Sequence, residues 1–237
     1  MISIAQYIDH TLLKPTTTYI EINRICKEAM EYGFAAVCVP PPLVREAVEI
    51  GRAPNTEGRR RSDGEGMAGA AAVKVATVIG FPFGYSTPAA KLAEVEQALA
   101  DGADELDVVI NLVALKNGDW SLLEEEMSPL TDRVHAAGKI IKVIIESGIL
   151  TDEEIVRCCT IYSRIGVDFL KTSTGYAEKG ATIAAVQLMR RNLPAGIRIK
   201  ASGGIKNYAF ARQLIEAGAD RLGCSASVEI VKGNRAK

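Results

Sequence analysis

Five times along this chain a helix-forming stretch runs into a glycine, then one to three residues that are often Ala or Asp, then a short β-branched run. The five segments are EYGFAAVCV, ADGADELDVVI, AAGKIIKVII, RIGVDFLKT and EAGADRLGC. Each glycine stands where a helix would stop, because glycine enters the left-handed C-terminal position without a Cβ clash. Each run that follows reads as a buried strand. VKVATVIGF at Val73–Phe81, IRIKAS at Ile197–Ser202 and the N-terminal YIDHTLL bring the strand candidates to about eight, with helical stretches between them. Near-continuous apolar strands alternating with helices predict a parallel sheet buried on both faces. A doubly wound open sheet usually carries a glycine-rich dinucleotide turn after an early strand, and the sequence shows none. The expectation is an α/β (β/α)8 TIM barrel, one domain over residues 1–237, with function at the C-terminal ends of the strands.

Composition narrows the partners. At 48% hydrophobic residues the chain can bury a large core, and a net charge of −1 gives no electrostatic reason to expect nucleic acid or a membrane surface. The N-terminal MISIAQYIDH has no Lys or Arg before its short apolar stretch, and no apolar run is long enough to span a bilayer. A small molecule is the expected ligand. The cysteines Cys26, Cys38, Cys158, Cys159 and Cys224 show no CxxC spacing, which fits a reducing cytoplasm. With His10 and His135 as its whole complement of histidines, the chain is a poor candidate for a histidine-built metal site, so metal chemistry is disfavoured. A segment rich in Gly, Arg and Ser, Gly51 to Ala72, breaks the βα rhythm and reads as a mobile solvated loop without assigned function. A barrel of this size is compatible with a monomer and with a symmetric homo-oligomer.

At the strand exits stand Asp9, His10 and Thr11; Thr77; Asp107 and Asn111; Glu146 and Ser147; Lys171, Thr172 and Ser173; Lys200 and Ser202; and Gly223, Cys224 and Ser225. Lys171 closes a run that otherwise reads as buried. Desolvating an ammonium is expensive, so such a lysine is either ion-paired or kept partly neutral for chemistry. Lys200 on the neighbouring strand favours the second reading, since like charges disfavour each other's protonation and a neutral amine attacks carbonyls to form a Schiff base. A Lys and an Asp, here Lys200 and Asp107, suit the proton transfers that follow. Asp104 reads as part of the turn into its strand. Gly203 and Gly204 in ASGGIKN, and Gly223, Ser225 and Ser227 in RLGCSASVEIV, follow the last two strands, where barrels often bind phosphate. Phe81, Phe83 and Tyr85 either line a substrate mouth or pack their own loop, Thr87 and Pro88 open a helix, and Cys38 reads as a small buried residue.

Seven motifs, in order, resemble deoxyribose-phosphate aldolases, a class I aldolase family: IDHTLLKP, VATVIGFPFG, GADELDVVIN, LKNGDW, KVIIE, LKTSTG and IKASGGI. The likeness runs from about residue 8 to about residue 231. It implies that Lys171 forms the Schiff base, that Asp107 and Lys200 donate and accept protons, and that Asp9 is an auxiliary polar residue. Thr172, Gly175, Gly203, Gly204, Gly223 and Ser225 are implied as substrate and phosphate contacts. The implied reaction is reversible cleavage of 2-deoxy-D-ribose 5-phosphate to D-glyceraldehyde 3-phosphate and acetaldehyde, without metal or organic cofactor. The chain departs from the family pattern at Ala226, where many members have a second serine, and at Tyr176, where some carry a lysine. Two rivals remain open at this stage: a Schiff-base barrel acting on another sugar phosphate, and a non-catalytic sensor of a phosphorylated ligand.

Overall fold

The glycine of every repeating unit lies in the left-handed region, from Gly33 at φ 68° to Gly218 at φ 113°. In three units the residue just before the strand is aspartate, and it has a job. Asp104 accepts from the amide of Val75 at 3.1 Å, Asp168 from Ile141 at 2.9 Å and Asp220 from Ile199 at 2.8 Å. Each carboxylate thereby pins the start of the preceding strand, which fixes the parallel register from its N-terminal end.

The architecture comes from a computed structural model that describes residues 3–52 and 72–233. The strands are β1 (Ile8–Thr11), β2 (Ala36–Val39), β3 (Lys74–Ile79), β4 (Glu105–Val109), β5 (Ile140–Ile144), β6 (Phe169–Lys171), β7 (Arg198–Ser202) and β8 (Arg221–Cys224). All neighbours are parallel, and β8 pairs with β1 to close the barrel in sequence order, as the repeats predict. Outside it run α1 (Tyr19–Tyr32), α2 (Val44–Arg52), α3 (Pro88–Ala100), α4 (Leu112–Lys116), α5 (Trp120–Ala136), α6 (Asp152–Ile165), α7 (Ile183–Asn192), α8 (Tyr208–Glu216) and α9 (Ser227–Gly233). Of the expected loop at 51–72, residues 53–71 lie outside the described residues, while Gly51 and Arg52 form the last turn of α2. Among the described residues no helix is long and apolar enough to cross a membrane.

Helix starts follow their caps. Thr18 and Thr151 each form a reciprocal capping box, with Glu21 and Glu154, and Thr87 caps α3 ahead of Pro88. The main apolar core fills the space between strands and helices. Inside the barrel lies a small apolar cluster, Cys38, Ala76 and Val78, with Leu13 and Phe81 above it. Ala36, Phe169 and Gly223 also face that interior, and its remaining side chains are charged.

Candidate active site

Closure of eight parallel strands advances the register by two residues every second strand, so inward side chains stack in layers of four. The observed pairing yields a lowest layer of Ala36, Glu105, Phe169 and Arg221 and a middle layer of Asp9, Ala76, Lys142 and Lys200. The upper layer, nearest the strand exits, is Cys38, Asp107, Lys171 and Gly223. An ordinary barrel fills these positions with branched apolar residues. This one buries seven ionisable side chains there besides Cys38.

Six of them form a closed ring of alternating sign, and Lys171 attaches to it. Asp107 Oδ2 accepts from Lys171 and from Lys200, each at 2.7 Å, and its Oδ1 from Lys142 at 2.7 Å. Lys142 also meets Glu105 at 2.7 Å; Arg221 reaches Glu105 at 3.3 Å and Asp9 at 2.6 Å; and Asp9 Oδ2 lies 2.5 Å from Lys200, closing the circuit. Lys171 hangs on this ring through one shared carboxylate oxygen, whereas Lys142 and Lys200 each sit between two carboxylates. Gly223 makes the arrangement possible: a Cβ there would stand 3.2 Å from Lys200 Cε and 2.9 Å from Ser202 Cβ.

The electrostatics separate the lysines. Burial pulls the Lys171 amine down and Lys200 adds to that pull; Asp107 opposes both, and the result stays below the usual lysine value. Burial also disfavours charge on Lys200, but Asp107 and Asp9 outweigh it and hold the amine above the usual value. Lys142 behaves likewise between Asp107 and Glu105. Asp107 is pushed upward by burial and held far below the carboxylate range by Lys142, Lys171 and Lys200. Burial raises the Cys38 thiol, so it has no thiolate character. Of the three lysines, Lys171 gives up its proton most readily.

Lys171 forms the floor of a pocket of about 170 Å³. Its walls come from Thr11 and Leu13 at the end of β1, Thr174 and Gly175 after β6, Ser202 to Lys206 from the end of β7 onward, and Gly223 to Ser225 from the end of β8 onward. Gly203, Gly204, Gly223 and Ser225, expected in the phosphate loops, line this pocket together with Gly175, while Asp107 and Lys200 lie below the floor. Thr172 does not line the pocket. It is buried behind the wall, where its hydroxyl accepts from Ser202 N at 3.1 Å and donates to Ser202 O at 3.3 Å. Ser227 is also buried, bonded to His10 at 2.9 Å and to Cys224 O at 2.9 Å. Thr77 turns outward to Val39 O at 2.9 Å. Phe81 meets Tyr176 edge-on at 5.3 Å near the mouth, and Tyr176 ties its loop to Leu13 O at 2.8 Å; Phe83 and Tyr85 stack on each other in solvent.

The sequence reading missed Lys142, Glu105 and Arg221 in the ring, and Lys206 and Thr174 on the pocket wall. It also gave no role to Glu146, whose buried carboxylate accepts from both the amide and the hydroxyl of Thr174. Among the described residues Glu146 is the one non-glycine residue at positive φ, 54°.

An amine held below the usual lysine value, buried at the mouth of a (β/α)8 barrel beside partners that keep their charge, fits the class of Schiff-base carbon–carbon lyases. A model of the DeoC/LacD family of aldolases matches residues 3–226. The deoxyribose-phosphate aldolase of Exiguobacterium sp. is 44% identical over 232 residues, spanning 98% of this chain and 97% of its own. A solved structure described as "QR15, an Aldolase" superposes with a TM-score of 0.87 at 36% identity, covering 99% of this chain and 97% of that one. Another, described as the unique tetrameric structure of deoxyribose phosphate aldolase from Aeropyrum pernix, gives 0.83 at 30% identity, with 98% and 91% covered. The chain belongs to the DeoC/LacD aldolase family.

Proposed function

We propose that this protein reversibly cleaves 2-deoxy-D-ribose 5-phosphate to D-glyceraldehyde 3-phosphate and acetaldehyde, with Lys171 as nucleophile. One observation carries the reading: of the three amines buried in the barrel, Lys171 alone both lines the pocket and lacks a second carboxylate. The relatives' names supply the substrate.

The neutral Lys171 amine adds to the C1 aldehyde, and loss of water leaves an iminium. The C3 hydroxyl then gives up its proton, the C2–C3 bond breaks, and the electron pair flows into the iminium to form an enamine. Glyceraldehyde 3-phosphate leaves. Protonation at C2 and hydrolysis release acetaldehyde and restore Lys171. Lys200, held charged, supplies protons, and Asp107 passes them on; Asp9 fixes Lys200. The amides of Gly204 and Ser225, with Lys206, receive the phosphate, and Thr172 braces the wall from behind. The substrate places the reaction in deoxyribose breakdown. Five buried free thiols suit a cytoplasmic site of action, and the tetrameric relative supports self-association of this chain.

The test is to incubate the protein with deoxyribose 5-phosphate, reduce with borohydride and map the adduct by peptide mass spectrometry. An adduct on Lys171 is expected. One on Lys200 would reverse the lysine roles, and none at all would remove the aldolase reading.

A further inference from the structure

The lowest layer of the barrel touches no part of the pocket, yet it carries two of the seven buried charges, Glu105 and Arg221. Their effect follows from a count. The interior holds the cations Lys142, Lys171, Lys200 and Arg221 against the carboxylates Asp9, Glu105 and Asp107, one cation in excess if every group is ionised. An unmatched charge in a desolvated interior is costly, so one proton tends to leave. Arg221 cannot release one. Lys142 and Lys200 are each braced by two carboxylates. The deficit therefore falls on Lys171, which holds half a share of one oxygen.

We propose that Arg221 and Glu105 are positioning residues of opposite sign for the Lys171 chemistry: Arg221 supplies the surplus cation that frees the amine, and Glu105 limits the effect. This rests on Lys171 being the nucleophile. Among the described residues, Lys206 stands on the pocket wall after β7, exposed to solvent. Cys38 faces the Lys171 amine from β2, Asp107 from β4, Lys142 from β5 and Lys200 from β7, with Asp9 on β1 behind Lys200; Glu146 stands at the end of β5. The interior residues of β3, Ala76 and Val78, are uncharged. Lys74, 3.8 Å from Glu105, has a side chain 54% exposed, and the exposed Arg198 sits over the Phe169 ring, 4.0 Å from its centroid; solvent screens both.

The experiment records kcat/KM against pH, together with the pH dependence of borohydride-trapped imine, for the wild type, Arg221→Gln, Arg221→Lys and Glu105→Gln. A unit charge ~10 Å away at an effective dielectric of ~20 moves a pKa by about one unit. Removing Arg221's charge is expected to shift the acid limb up by about that much, so that activity lost near neutrality returns at higher pH. Removing Glu105's charge shifts the limb down, and Arg221→Lys leaves it in place. Opposite movements of one limb are a result that loosened packing cannot produce. Limbs that stay with the wild type, or that move in the same direction in both neutralised variants, overturn the proposal. If Arg221→Gln fails to fold, the downward shift in Glu105→Gln decides alone. A wild type that traps no imine on Lys171 refutes the nucleophile assignment itself and is read separately.

Discussion

A second buried ion pair lies outside the barrel, between α3 and α5, and its behaviour can be worked out in numbers. Lys91 and Glu126 are 0% and 1% exposed at the side chain and 2.8 Å apart. Lys91 also donates to Val109 O at 2.8 Å, whereas Glu126 Oε1 has no partner. Burial pulls Lys91 down and pushes Glu126 up despite their mutual attraction, so burial works against the charge on both members. Removing one member strands the other, a loss of about 3–5 kcal/mol, while replacing both with apolar residues of similar volume is commonly neutral or better. For a chain of this length each kcal/mol moves the Tm by about 2–4 °C. Lys91→Met is therefore expected to lower the Tm by roughly 6–20 °C at pH 7. Without Lys91 the Glu126 carboxyl rises further above its unfolded value. The variant then loses stability as pH climbs from the unfolded value through that raised folded value, and regains it in acid. The double variant Lys91→Met/Glu126→Leu recovers most of the loss, with a pH dependence flatter than that of either single variant. Urea titrations of the four proteins from pH 5 to 8 form the double-mutant cycle. Additive losses in the double variant, or a Lys91→Met cost below about 1 kcal/mol, would show that the pair does not carry the charges assigned to it.

Lys171 was legible because a charge at the end of an apolar run is anomalous, and Asp107 and Lys200 stood out beside it although Lys200 lies one layer deeper, level with Lys142. Glu105 and Arg221 open their strands at the opposite rim, where charge is ordinary, so they drew no notice. Lys142 sits inside KIIKVII, before the exit. Yet the signal was present: Glu105 and Asp107 are two residues apart, and period-two alternation puts both on one face. The same alternation explains the misplacement of Thr172. It follows the inward Lys171 directly, so its side chain faces away from the pocket. Ser227 begins α9 rather than extending the phosphate loop, and turns to His10. The repeated Gly-x-Asp was visible as a pattern, but its work requires a partner strand 21 to 29 residues earlier, a separation that local periodicity does not report.

Other outcomes follow from the geometry. Lys171→Ala is expected to abolish kcat with the fold intact by circular dichroism; substantial turnover would end the Schiff-base account. Gly223→Ala drives a methyl group toward Lys200 Cε and Ser202 Cβ, and is expected to lower kcat more than it raises KM in steady-state assays. Gly180→Ala places its Cβ against the backbone of Gly203 and is expected to raise KM for the phosphorylated substrate while sparing unphosphorylated aldehydes. Glu146 allows two contributions to be separated. Its left-handed backbone costs about 1–2 kcal/mol relative to glycine, and its carboxylate holds Thr174 on the pocket wall. Glu146→Gly loses the carboxylate and relieves the backbone, while Glu146→Ala loses the carboxylate and keeps the strain. Both should raise KM alike, and the glycine variant should be the more stable by about 1–2 kcal/mol in urea. Equal stabilities would mean the positive φ is not strained. An unchanged KM would mean that Thr174 keeps its place without Glu146, leaving that residue's strained geometry without a functional return.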